Sequence, residues 1–193
     1  MMDQIWRLSH RADPAAKRLA DRHYNRQKPD SPQFAPPGSC LVLLTERADA
    51  FWITSNPFPE FVRHAWAGAW VCSAFRSEGD YRASDLIRSA LAATRAFYGE
   101  PPALGMITFI DRRKVKPIKV RGRDTWGWTW AKAGFVDVGE TKGGLLAMQL
   151  FPDAMPEPAP ALPRSMAGTP LFDGAAAGRS GTAAPRKSCR RTA

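Results

Sequence analysis

The segments Cys40 to Leu44 and Phe51 to Thr54 are almost unbroken runs of apolar and β-branched residues, and the polar Glu46-Arg47-Ala48-Asp49 between them predicts two paired strands. Further strands are predicted at Trp70 to Phe75, at Leu104 to Ile110 and at Leu145 to Leu150, the last preceded by the turn-forming pair Gly143-Gly144. Between the first two of these the period becomes helical. Leu86, Ile87, Ala90, Leu91, Thr94, Phe97 and Tyr98 fall on one face, Ser84 precedes them as an N-cap with Asp85 in the first turn, and Gly99 with Pro101-Pro102 ends the run. A shorter helix is predicted to end at Gly134, which tolerates a left-handed helix terminus, with Lys132 well placed at the negative end of the helix dipole. Phe135, Val136 and Val138 then read as a strand. Toward the N-terminus, Gln4 to Leu8 predicts a first strand, and Asp13-Pro14 starts an amphipathic helix over Ala15 to Tyr24. The polar, proline-rich stretch His23 to Gly38 is then a long loop, and a loop of that length inside a compact domain is often functional. Asn56-Pro57 and Pro59 close the first strand pair, while Phe58, Phe61, Trp66 and Trp70 are expected to cover the core.

At 193 residues and 44% hydrophobic content, the chain is sized for one well-cored domain. Apolar periodicity stops near Phe151, after which prolines alternate with Ala, Gly and Ser. Residues 1–151 therefore read as the domain, and 152–193 as a disordered tail ending in the basic pairs Arg186-Lys187 and Arg190-Arg191. Cys40, Cys72 and Cys189 are too scattered for a disulfide framework or a zinc site, and Cys72 is expected to pack within its strand. His10, His23 and His64 lack metal-ligand spacing, so no metal is expected. No cleavable signal is visible at Met1-Met2-Asp3-Gln4, and no apolar run approaches the roughly 20 residues that span a bilayer. The chain reads as cytoplasmic, without a membrane partner.

A net charge of +10 and a pI near 10.1 point toward a polyanion such as nucleic acid. Arg112, Arg113, Lys114, Lys116, Lys119, Arg121 and Arg123 crowd one segment, and Trp126, Trp128 and Trp130 follow it. Interleaved basic and aromatic residues can hold a phosphate backbone and stack an unpaired base. Equally, the tryptophans read as partly core and the charges as a solubilising loop.

The run Trp130-Ala-Lys-Ala-Gly134-Phe135 through Leu150 resembles the C-terminal signature of GNAT acyltransferases, in which a short helix ends in glycine, a strand begins at the next aromatic residue and a second strand returns after a glycine-containing turn. A second resemblance lies upstream. In that family a central strand enters a loop of pattern Q/R-x-x-G-x-G/A, and the helix after it holds the pyrophosphate of acetyl coenzyme A. Here Arg76 and Gly79 match, and Tyr81 stands where the family has Gly or Ala, a side chain in the path of close backbone approach to phosphate. The resemblance covers roughly residues 70–150. It implies an α/β (α+β) fold with a mixed, mainly antiparallel central sheet flanked by helices, and acetyl-CoA or another acyl-CoA as cofactor. It also implies a cofactor site of Phe75, Arg76, Gly79, Arg82 and Ser84, with Arg88 adding positive charge nearby.

The His23-Tyr24 pair before a long loop, the Arg-x-x-Gly turn and the Ser-capped helix are also similar to the Mom-type DNA-modification proteins of bacteriophages, a divergent branch with a GNAT-like fold. That resemblance implies modification of adenine in DNA, with His23, Tyr24, Arg26 and Trp128 as substrate-binding candidates.

Acyl transfer to an amine needs a base for the amine proton, support for the developing oxyanion, and an acid for the departing thiolate. GNAT enzymes commonly supply the acid as a Tyr on the helix before the Gly-Phe pair. Trp130 stands there in this chain, and an indole N–H is no practical proton donor, which leaves water or Tyr81. Glu78 is the leading base candidate and Asp111 the second, although each also reads as a solvated surface carboxylate. The expected function is acyl-CoA-dependent N-acyl transfer or Mom-like DNA modification. The alternative is a catalytically silent GNAT-like fold that binds nucleic acid through residues 112–123, the tryptophans and the basic tail.

Overall fold

The computed structural model describes residues 4–164. Its strands are β1 (Trp6–Leu8), β2 (Cys40–Thr45), β3 (Ala50–Ser55), β4 (Trp70–Ser77), β5 (Met106–Ile110), β6 (Ile118–Val120), β7 (Arg123–Thr125), β8 (Val136–Glu140) and β9 (Leu146–Leu150). Its helices are α1 (Pro14–Asp21), α2 (Ala83–Tyr98) and α3 (Trp128–Lys132). Seven strands form one sheet in the order β1-β2-β3-β4-β5-β9-β8, and β6 with β7 forms a separate hairpin. Every neighbouring pair in the large sheet is antiparallel except β4 and β5, which run parallel because α2 carries the chain back between them. The mixed, mainly antiparallel sheet with helices beside it is as the sequence predicts.

Alternation along the strands builds two cores. Leu41, Leu43, Trp52, Trp70, Cys72, Met106 and Met148 pack with Leu86, Ile87, Ala90 and Leu91 of α2. Val42, Leu44, Phe51 and Ile53 point the other way and pack against Ala16, Leu19 and Ala20 of α1. Cys72 is buried within its strand, as expected. Gly134 takes φ +106 after α3, so the predicted helix terminus is also present. Among the described residues, no helix is long and apolar enough to cross a membrane.

Several expectations need correction. Helix α1 stops at Asp21 rather than Tyr24, because Arg22 and His23 close turns onto Leu19 O and Ala20 O and the chain leaves the helix axis. Ser84 is not the N-cap of α2. Arg82 holds the extended cap conformation without a side-chain cap, and Ser84 is buried in the first turn. Phe58 and Phe61 do not cover the core, being 68% and 77% exposed, whereas Trp66 packs over Ile107 and Ala147.

The chain also stays ordered past Phe151. Met155 is buried in the α2-side core, Arg95 Nη1 donates to Pro156 O, and Ala159 N–H donates to Ala92 O. Leu162 then bridges the free edge of β1 in parallel, donating to Trp6 O and accepting from Leu8 N–H. The prolines that break periodicity in residues 152–164 suit an extended strap, which needs no helix or sheet pattern to bind an edge. The rest of the expected tail, 165–193, lies outside the described residues.

Candidate active site: a pocket where two parallel strands part

The ladder between β4 and β5 is short. It pairs Trp70 with Met106, Val71 with Ile107 and Cys72 with Thr108, and then ends although β4 continues to Ser77 and β5 to Ile110. A bulge marks the place where the strands part. Thr54 of β3 pairs with Cys72 and Ile53 with Ala74, so Ser73 is an extra residue in β4 that bends the strand. Into the opening come three consecutive side chains from the turn after α1. Asn25 Nδ2 donates to Ser73 O at 2.9 Å, His23 Nε2 lies 3.1 Å from Phe75 O, and Tyr24 Oη donates to Phe109 O at 3.1 Å. Side chains thus take up strand carbonyls that a continued ladder would have paired.

Above this wedge is a pocket of ≈ 340 Å³. Cys72 to Ser77 of β4, and Thr108 and Ile110 of β5, form two walls. Ala83 at the start of α2 and Trp128 to Trp130 of α3 form the next, Val115, Lys116, Ile118 and Thr125 border it from the hairpin and its lead-in, and His23 and Tyr24 belong to the lining. Trp130 is part of a ring cluster, with centroids 5.9 Å from Trp52, 5.9 Å from Phe75 and 5.0 Å from Phe135. This gives the pocket one aromatic side, while among the described residues its charged side chains are Arg76 and Lys116 and no carboxylate lines it.

The expected site residues fall into two groups. His23, Tyr24, Phe75, Arg76 and Trp128 all line the pocket. Arg82 is exposed beside it at the α2 cap, and Ser84 sits in the first helical turn. Gly79, Arg26, Glu78, Asp111 and Arg88 are committed elsewhere. A Cβ at Gly79 would lie 2.2 Å from Asp49 Oδ2, so the missing side chain makes room for a carboxylate, and a carboxylate there opposes a pyrophosphate. Arg26 donates to Asp21 Oδ1 and to the Gln33 and Ser31 carbonyls, holding the long loop closed. Arg88 Nη1 donates to Ala133 O at the end of α3.

Glu78 is gripped by two guanidiniums. Arg22 donates to it twice, at 2.9 and 2.6 Å, and Arg76 Nε lies 2.5 Å from Oε1. Those hydrogen bonds, from Arg22 first and Arg76 next, hold its carboxyl at a pKa of about 2, far too weakly basic to take a proton from an amine near neutrality. Asp111 accepts from the backbone N–H, Nε and Nη2 of Arg113 and is lowered in the same sense, chiefly by the Arg113 side chain. Neither carboxylate lines the pocket, and neither environment suits the base role expected of it.

His23 has the opposite character. It is 8% exposed, and burial lowers its pKa below the ordinary histidine value, against the acceptor oxygens of Asn25 and Phe75, which raise it. A carbonyl can only accept, so Nε2 carries the hydrogen toward Phe75 O and Nδ1 is left with the lone pair in the neutral ring. Asn25 Oδ1 lies 2.5 Å from Nδ1, with its amide turned by the bond from Nδ2 to Ser73 O. The backbone N–H of Asn25 donates to Nδ1 at 3.3 Å, so both ring nitrogens are engaged by the protein itself. Tyr24 packs on the His23 ring at 4.5 Å, and burial pushes its phenol up to about 12, so it stays a donor. Sequence reasoning missed Asn25 and Ala83. Asn25 adjoins the His23-Tyr24 pair, but its role depends on a strand far along the chain. Compared with protein-family models, with curated proteins and with solved structures, the chain has no match.

Proposed function

We propose that this chain is an acyl-CoA-dependent N-acyltransferase-like protein whose acceptor is a nucleic acid, with adenine in DNA as the Mom-type form of that reading. The observation that carries it is the parting of β4 and β5 beyond Cys72 and Thr108, which opens a pocket between parallel strands directly beside the uncapped start of α2. The fit to an acyl-CoA is good at two places. The first-turn N–H groups of Ala83 and Ser84 have no side-chain cap and, with Arg82, favour an anionic end. The aromatic side at Phe75 and Trp130 favours an extended, partly apolar arm. Gly79 takes no part. When bound, acyl-CoA supplies the activated acyl carbon. His23 borders the acceptor's place with Nε2 held to Phe75 O and Nδ1 held by Asn25, so it positions the acceptor, and water carries the amine proton away.

The second reading is a catalytically silent nucleic-acid-binding protein. What favours it is Trp130, an indole packed among Trp52, Phe75 and Phe135 where the resembling enzymes carry a proton donor. Titration of acetyl-CoA by calorimetry separates the two. The transferase reading predicts saturable binding that Ala83→Glu abolishes, because a carboxylate at the helix start repels an anion while leaving the helix intact. Absence of binding to the unaltered chain, with DNA still bound, leaves only the second reading.

A further inference from the structure

The hairpin formed by β6 and β7 stands apart from the main sheet, and its turn is built against the preference of its own sequence. Val120 pairs with Arg123, so Arg121 and Gly122 are the two central residues of a two-residue turn. Both have positive φ, +49 for Arg121 and +77 for Gly122. Such a turn favours Gly, Asn or Asp at each central position, and glycine occupies only the second. Arginine at the first costs local stability, and a residue held in an unfavourable conformation at an exposed tip points to a use for its side chain.

The surroundings of the tip say what that use is. Arg112 pairs with Glu140 and Arg113 with Asp111, so the start of the basic segment is neutralised within the fold. Lys119, Arg121 and Arg123 are exposed, and among the described residues none of them is in an ion pair; Asp124 faces Lys119 across the ladder, which leaves Arg121 and Arg123 as the outward charge. The tip carries no aromatic side chain that would enter a lipid surface. The base of the hairpin, at Ile118 and Thr125, borders the pocket that Tyr24, Trp128 and Trp130 line. Positive charge outside the mouth and rings within it match a phosphate backbone that runs past the pocket while one base enters it.

We infer that the β6-β7 hairpin is the arm that grips the nucleic-acid backbone, with Arg121 and Arg123 each neutralising a phosphate. This rests on a nucleic-acid acceptor but not on acyl chemistry. The test is the salt dependence of binding to a short DNA duplex, read by fluorescence anisotropy with the full chain, with Arg121→Gly and with Arg121→Gly/Arg123→Gln. Each lost phosphate contact makes the plot of log affinity against log salt shallower by about 0.9, so the single variant should lose about 0.9 and the double about 1.8. Arg121→Gly should also unfold at the same or a higher temperature, since glycine relaxes the turn. A merely structural arginine would not combine weaker binding with unchanged stability. An unchanged slope in the double variant, or no salt-sensitive duplex binding by the unaltered chain, overturns the inference. Calorimetry with acetyl-CoA on the double variant keeps the two proposals apart: the arm predicts unaltered acetyl-CoA binding, and a chain that grips DNA through the hairpin but takes no acetyl-CoA refutes the transferase reading alone.

Discussion

Two ionisable residues within reach of the strand opening differ in what surrounds them, and that difference decides their chemistry. Glu78 meets two arginines and stays ionised almost to pH 2; His23 is buried with Nε2 on Phe75 O and Nδ1 held by Asn25. Glu78→Gln should therefore leave turnover close to that of the unaltered chain in an acyl-transfer assay. His23→Gln, which keeps a polar side chain of similar reach, should raise KM for the acceptor more than it lowers kcat, with little change in acetyl-CoA affinity. His23 also predicts a pH effect on stability. Its folded pKa lies below the ordinary value of 6.5, so the unfolded chain takes up a proton first as pH falls. Stability should be full above pH 6.5 and decline below it, well before the carboxylates begin to titrate. His64, also lowered by burial, contributes in the same window, so the measure is the difference between the unaltered chain and His23→Gln in denaturant titrations from pH 7.5 to about 5. A difference that does not vary with pH contradicts the buried neutral ring.

At the scale of elements, the strands of the main sheet and α2 were legible because each is specified by its own residues: nearly continuous apolar runs for β2, β3 and β9, and helical spacing from Leu86 to Tyr98 for α2, whereas the β6-β7 hairpin was not. What was not legible depends on partners distant in sequence. The end of the β4-β5 ladder is set by a bulge opposite β3 and by the wedge from residues 23–25, and no local pattern announces either. Gly79 resembled a phosphate loop in sequence, yet its contact is Asp49 on the neighbouring hairpin. The strap was missed for a related reason, since Pro-rich composition reads as disorder unless an open edge such as β1 is there to receive it. Burial of a methionine contributes about 1.5 to 3 kcal/mol, and Met155 is 7% exposed. A chain ending at Phe151 should thus unfold roughly 5 °C or more below one ending at Arg164. Equal midpoints in thermal unfolding would show that the strap adds nothing to stability.

Over the whole molecule, the charge that composition reports as +10 divides into parts with different uses. Arg22, Arg26, Arg76, Arg112 and Arg113 hold carboxylates within the fold, while Arg121 and Arg123 point outward at the hairpin beside the pocket. Sequence gives the total but not this division, because pairing is a property of the folded chain. The proposed transfer of an activated acyl group to an amine on a polyanion draws on the pocket, the uncapped helix start and the basic hairpin together. The most direct measurement is mass spectrometry of nucleosides from the DNA of cells expressing the chain, beside cells expressing His23→Gln. The account predicts an adenine nucleoside carrying the mass of an added acyl group in the first sample and less of it in the second. Nucleosides identical to those of cells without the chain, or a modification that survives His23→Gln undiminished, would contradict it.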